Sequence, residues 1–169
     1  MSAELSPEPQ PKQPTVSLPA IDPATVSVRT GTIYPDPFKA TVAGRQKQAL
    51  GNALGLKNFG VNQVTLAPGG ASALRHWHTK QDEFIYVLSG EITLVTEAGE
   101  QVLGAGMAAG FPAGQANGHQ LVNRTDVEAV YLEVGDRLPG DEVIYPDVDL
   151  AGQQSYGWQL THKDGTPLA

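Results

Sequence analysis

Cysteine is absent from this chain of 169 residues, which excludes a disulfide framework, an iron–sulfur cluster, a thiolate zinc site and a cysteine nucleophile. Charge is sparse, at 17% of residues against about a quarter in an ordinary globular domain. Positive charge is sparser still: 11 basic residues face 18 acidic ones, a net −7. That sign argues against a nucleic-acid partner, which would be gripped through its phosphates by lysine and arginine. No apolar run approaches the ~18 residues of a membrane-crossing helix, so no membrane partner is expected. The N-terminus lacks the basic and apolar regions of a secretory signal, and a cytoplasmic protein is expected. Histidine is scarce too, at four residues.

What is present is glycine, proline and short β-branched runs. Six of the 13 prolines fall between Pro7 and Pro23. So few large apolar residues accompany them that a disordered tail over residues 1–24 is expected, in preference to a PxxP recognition motif at Pro11–Pro14. Residues 25–57 are expected to supply N-terminal strands and an arm. The best helix candidate lies there, Lys39 to Leu54, alanine-rich but interrupted by Gly44 and Gly51. Strand-like runs then recur at Asn62–Leu66, Ala73–His78, Glu83–Leu88, Glu91–Thr96, Gln101–Leu103, His119–Asn123 and Glu128–Val134. Ser89-Gly90 reads as a two-residue hairpin, and Ala98-Gly99 and Pro68-Gly69-Gly70 as further turns. Short strands at this spacing predict a single all-β barrel or sandwich over residues 58–135. Residues 136–169 mix prolines, acids and aromatics. Tyr145, Tyr156 and Trp158 are too apolar for a free tail, so this arm is expected to pack on the barrel or on a partner subunit.

Three of the four histidines lie in two of the predicted strands. On a strand, His76 and His78 point to one face and Arg75 and Trp77 to the other. Glu83 heads the antiparallel return strand, where it can meet the imidazoles, and His119 opens a later one. Three imidazoles and a carboxylate converging inside a barrel would hold one divalent first-row metal, with zinc, manganese, iron or nickel all compatible with the donors.

These residues resemble the cupin superfamily. Its first motif is a glycine, five residues, His-x-His, three or four residues, a glutamate, six residues and a glycine; Gly70, His76, His78, Glu83 and Gly90 satisfy it. Its second is matched by Gly106, Pro112, Gly114, His119 and Asn123, except that four residues rather than two precede the histidine, adding an expected Asn117-Gly118 turn. The resemblance spans roughly Asn58 to Val134. It implies a double-stranded β-helix, the jelly-roll barrel, with a metal held by His76, His78, Glu83 and His119. The motif glycines are expected at turns with positive φ, and Asn123 is expected to support the site by a hydrogen bond.

Other residues carry plainer expectations. Arg75 is expected in a surface or interface ion pair, Asp82 as a solvated acid and His162 as an exposed polar residue. Trp77 is expected in core or subunit packing. Tyr86, Tyr131 and Glu133 sit on strands that should flank the site and could move protons, but no catalytic residue is assigned from the sequence. Small cupins of this appearance resemble a bacterial group described as sugar-phosphate-isomerase-like. The functional expectation is an isomerase or epimerase acting on a small oxygenated substrate such as a sugar or sugar acid. An Fe(II)-dependent dioxygenase and a non-catalytic binding module are the alternatives. Arg75, Lys80 and Arg124 do not clearly face the barrel, which argues mildly against a phosphorylated substrate. A homodimer is expected, because a small barrel presents edges and aromatics that a second subunit can cover.

Overall fold

The computed structural model describes residues 19–154 and 157–168. The Pro11–Pro14 motif, most of the proline-rich tail and Tyr156 lie outside them. The N-terminal part carries β1 (Val28–Arg29), β2 (Arg45–Gln48), a single helical turn α1 (Leu50–Ala53) and β3 (Phe59–Leu66). The central part carries β4 (Trp77–His78), β5 (Glu83–Ser89), β6 (Glu91–Thr96), β7 (Gly99–Gly104), β8 (Ala108–Phe111), β9 (Gln120–Val122) and β10 (Ala129–Asp136). The C-terminal part adds β11 (Glu142–Tyr145), β12 (Leu150–Gln154) and β13 (Trp158–Thr161).

Every named strand pair is antiparallel. The largest sheet runs β1-β2-β3-β10-β5-β8, the second β7-β6-β9 and the third β13-β12-β11-β4. This is the all-β jelly-roll expected from the motifs. Alternation decides which side of each strand is dry: along β5, Ile85 and Val87 are buried while Phe84, Tyr86 and Leu88 are exposed. The buried set joins Val64, Leu66, Ile92, Leu94, Leu103, Leu121 and Tyr131 in one core between the first two sheets. A smaller core of Tyr34, Val42, Val143, Tyr145 and Leu150 fastens the C-terminal strands.

Four local expectations are corrected. The Lys39–Leu54 helix is replaced by a 3-10 segment at Phe38–Val42, strand β2 and the one-turn α1. The two glycines that interrupt it serve close approach: a Cβ on Gly51 would stand 2.9 Å from Val61 N. Ser89-Gly90 is not a hairpin, because β5 and β6 belong to different sheets. Gly90 (φ +74°) turns the chain from one sheet to the other, at a corner where a Cβ would stand 2.7 Å from Glu128 O. Gly70 does not adopt positive φ; its neighbour Gly69 does. The two extra residues before His119 do not form a turn. Asn117 Oδ1 accepts from Glu97 N, and Gly118 is buried against Pro146.

Candidate metal centre and cavity

The His-x-His segment has little strand of its own, since only Trp77 and His78 pair regularly, with Ile144 and Val143 of β11. His76 is fixed by a reciprocal backbone bridge to His119, His76 N to His119 O at 3.1 Å and the return bond at 2.8 Å. That bridge holds two predicted ligands side by side across a sequence gap of more than 40 residues. Glu83 starts β5 opposite Gly135 and Phe111, and so reaches the same place from the large sheet.

The four sequence-predicted residues do come together. His119 Nε2 lies 2.9 Å from Glu83 Oε2, His78 Nε2 3.5 Å and His76 Nε2 3.6 Å. Candidate donor atoms of His76, Glu83 and His119 all lie within 4.8 Å of one another. The far nitrogens explain the orientation. His76 Nδ1 donates to Leu74 O at 2.8 Å and His78 Nδ1 to Asp141 Oδ2 at 2.5 Å. With Nδ1–H committed to an acceptor, each neutral imidazole turns a bare Nε2 lone pair toward Glu83. His119 is placed by Phe111, whose ring stacks on it at 3.6 Å and 4°.

Lone pairs facing a carboxylate repel unless a cation stands between them. The buried Glu83 Oε2 has no satisfied hydrogen bond among the described residues, although His119 Nε2 stands 2.9 Å away. The donor set therefore fits a divalent ion of the N/O-seeking class. Where no cation intervenes, an imidazole proton takes its place. Burial alone would raise the Glu83 carboxyl, but the His119 and His76 imidazoles hold it well below its ordinary value. For His76 burial alone would lower the imidazole, and Glu83 beside it reverses the sign. His119 stays lowered, chiefly by burial.

This cluster forms one wall of a cavity of about 940 Å³. Tyr34, Tyr145 and Trp158 line it from the two arms, and Glu133 lines it from β10. Glu133 accepts from Lys47 Nζ at 2.8 and 3.1 Å and from Asn62 Nδ2 at 3.0 Å. Of the three proton-transfer candidates, only Glu133 lines the cavity. Tyr86 is 40% exposed on the outer face, and Tyr131 lies fully buried in the core. Trp77 does not line this cavity, but it lines a smaller one of about 50 Å³ that also reaches His78, Glu83 and His119.

The remaining expectations divide. Arg75 forms its ion pairs, with Asp147 at 2.5 and 2.8 Å and with Glu97 at 2.5 Å. His162 is partly exposed and bonds Asp149 at 2.9 Å. Asp82 is exposed, and its Oδ1 accepts from Ala113 N at 2.7 Å. Asn123 does not reach the site. It donates to Leu66 O and Val127 O and accepts from Thr125, which pins the loop before β10. Sequence reasoning missed Asp141, which is fully buried and holds His78 together with Lys80 N and Thr79 Oγ1. It also missed Arg45 and Lys47, whose only signal was the period-two pattern Arg45-Gln46-Lys47-Gln48 inside a stretch that looked helical.

The cupin-domain family model matches residues 62–135. A sugar phosphate isomerase of the cupin superfamily from Silicibacter pomeroyi is 45% identical, with a TM-score of 0.86 over 89% of this chain and 97% of its own. A protein provisionally assigned as a sugar phosphate isomerase, from Acidithiobacillus ferrooxidans, is 32% identical with a TM-score of 0.67, over 75% and 83% of the two chains. The polyketide cyclase RemF from Streptomyces resistomycificus shares the fold, at 20% identity and a TM-score of 0.63 over 78% and 87%. No curated protein matches the sequence. The chain belongs to the cupin superfamily.

Proposed function

We propose that this chain is a metal-dependent isomerase of a small sugar-class metabolite, acting as a homodimer. The observation that carries the reading is the pairing of two different groups across one cavity: the imidazoles converging on Glu83, and the separately held carboxylate of Glu133. A binding module needs only the first. The two relatives at 45% and 32% identity bear the name sugar phosphate isomerase, one of them provisionally.

His76, His78, Glu83 and His119 would hold one divalent ion, either zinc, manganese, iron or nickel. Such an ion supplies Lewis acidity toward neighbouring substrate oxygens. The chain's own residues do the rest. Lys47 and Asn62 hold the Glu133 carboxylate at the cavity wall. That carboxylate takes a proton from the hydroxyl-bearing carbon beside a carbonyl, and the electron pair moves onto the carbonyl oxygen. The hydroxyl proton passes to that oxygen, and the carboxyl returns its proton to the former carbonyl carbon as the second carbonyl forms. One C–H bond breaks and one forms, with no net oxidation. Tyr145 and Trp158 narrow the access of bulk water. The homodimer reading is supported by the outer face of the large sheet, where Phe84, Tyr86 and Leu88 are exposed in a row.

The test is solvent exchange. Metal-loaded protein incubated in D₂O with a panel of aldoses, ketoses and their phosphates is expected to place deuterium at the carbon next to the carbonyl of one of them. Glu133→Gln should slow this by on the order of 100-fold or more. Oxygen consumption by an iron-loaded sample without any deuterium incorporation would contradict the isomerase.

A further inference from the structure

We propose that Arg45, with Arg29 beside it, forms an anion subsite that receives the phosphate group of a sugar phosphate, at the end of the cavity away from the histidines. This rests on the isomerase reading for the identity of the substrate, though the subsite itself stands on separate residues.

The charge distribution motivates it. In a chain with net charge −7, four cations (Arg29, Arg45, Lys47 and Arg137) line this one cavity, against three carboxylates, Glu83, Glu133 and Asp136. A divalent ion at the histidines would make the balance more positive still. Strand geometry puts three of the four on one face. Arg45 and Lys47 are two apart on β2, and Arg29 of β1 stands directly opposite Lys47.

Their partners then separate them. Lys47 is committed to Glu133. Arg137 donates to Leu56 O at 3.0 Å and to the Asn52 side chain. Arg45 and Arg29 pair with no carboxylate among the described residues. The Arg45 guanidinium is aimed by backbone carbonyls instead, Nη1 to Ser72 O at 2.5 Å and Nη2 to Gly31 O at 3.4 Å. Carbonyls orient a guanidinium without neutralising it, and a guanidinium has more N–H donors than these bonds use. A planar, oriented, unneutralised fork in a cavity wall suits a phosphate oxygen pair.

The spacing is compatible with one substrate touching both ends. β2 lies three strand steps from β5, which carries Glu83. That is about 14 Å across the strands, and the registers also offset the two along them. Arg45 stands opposite Leu66, whereas Glu83 aligns through Gly135 with Gly60, so the long Arg45 and Glu83 side chains must shorten the span from both ends. A phosphate held by Arg45 would leave the opposite end of an open-chain sugar beside Glu83 and the histidines, with Glu133 on the strand between. Arg75, Lys80 and Arg124, whose sequence positions speak against a phosphorylated substrate, are a different set of cations. Arg75 and Arg124 are tied to Asp147, Glu97 and Glu100, and none of the three lines this cavity.

Inorganic phosphate binding to the full chain, measured by titration calorimetry, tests the subsite without relying on turnover. Wild type should bind phosphate, and Arg45→Gln should weaken it at least tenfold. Arg29→Gln should weaken it less, and Arg45→Lys should fall between wild type and Arg45→Gln. Arg124→Gln, on the outer surface, should match wild type. The double variant His76→Ala/His78→Ala should still bind phosphate, so loss of the metal centre and loss of the anion subsite read out separately. Phosphate binding undiminished in folded Arg45→Gln and Arg29→Gln proteins would overturn the proposal. So would a wild type that binds gluconate or a neutral sugar but no phosphate.

Discussion

Asp141 shows how much a single buried side chain can decide. It is fully buried, yet carries no cation as partner; it is satisfied by His78 Nδ1, Lys80 N and Thr79 Oγ1. Its chief effect is on His78, whose tautomer it sets and whose Nε2 it turns toward Glu83. Removing it should loosen the ligand while leaving all four ligands in place. Asp141→Ala is expected to weaken metal binding by roughly 10–100-fold in a competition with a chromophoric chelator. Glu142→Ala, at the exposed neighbouring position, should leave it unchanged. Equal affinities in the two variants would mean that His78 needs no such support. Asp141 was hidden in the sequence for a physical reason. It is one of eight acids between Asp126 and Asp149, and only tertiary pairing of β11 with β4 singles it out.

Among the elements, the strands of the barrel were the most readable, because their alternation is local. Phe59–Leu66, Glu83–Ser89 and Glu91–Thr96 fall where their β-branched runs predicted. The C-terminal strands β11, β12 and β13 were not read as strands, and two further elements failed to show because their strand state comes from pairing alone. β2 has no β-branched residue, and β8 is Ala-Ala-Gly-Phe; each is a strand because an established neighbour offers it a ladder. The change of sheet after β5 was likewise unreadable, since a hairpin and a crossover corner both call for glycine. That corner yields a quantitative expectation. Gly55 and Gly90 have similar positive φ, 73° and 74°, but a Cβ meets nothing within 4 Å at Gly55 and backbone at 2.7 and 2.8 Å at Gly90. Both alanine variants bear the left-handed strain, of order 1–3 kcal/mol. Gly90→Ala should cost at least about 1 kcal/mol more than Gly55→Ala in urea unfolding, from the added overpacking. Equal costs would mean that the corner relaxes freely.

For the whole molecule, the legible part of the site and the complete site have different extents. The motifs gave four converging side chains from the barrel, and the matching family region, residues 62–135, contains all of them. The rest of the cavity wall comes from both flanks, Tyr34, Arg45 and Lys47 from before it and Tyr145 and Trp158 from after it, and Asp141, also from after it, holds His78. No local pattern announces such residues, because their roles depend on contacts between distant segments. Among the described residues no helix is long and apolar enough to cross a membrane. The scarcity of positive charge also takes on a meaning, for four of the 11 basic residues line this one cavity.

The central claim is that His76, His78, Glu83 and His119 hold a divalent metal. Elemental analysis of untagged protein, wild type beside His76→Ala/His78→Ala, tests it most directly. The account predicts one zinc, manganese, iron or nickel ion per wild-type chain and essentially none in the folded double variant. Equal metal content in the two proteins, or a wild type that stays metal-free after exposure to each of these ions, would contradict it.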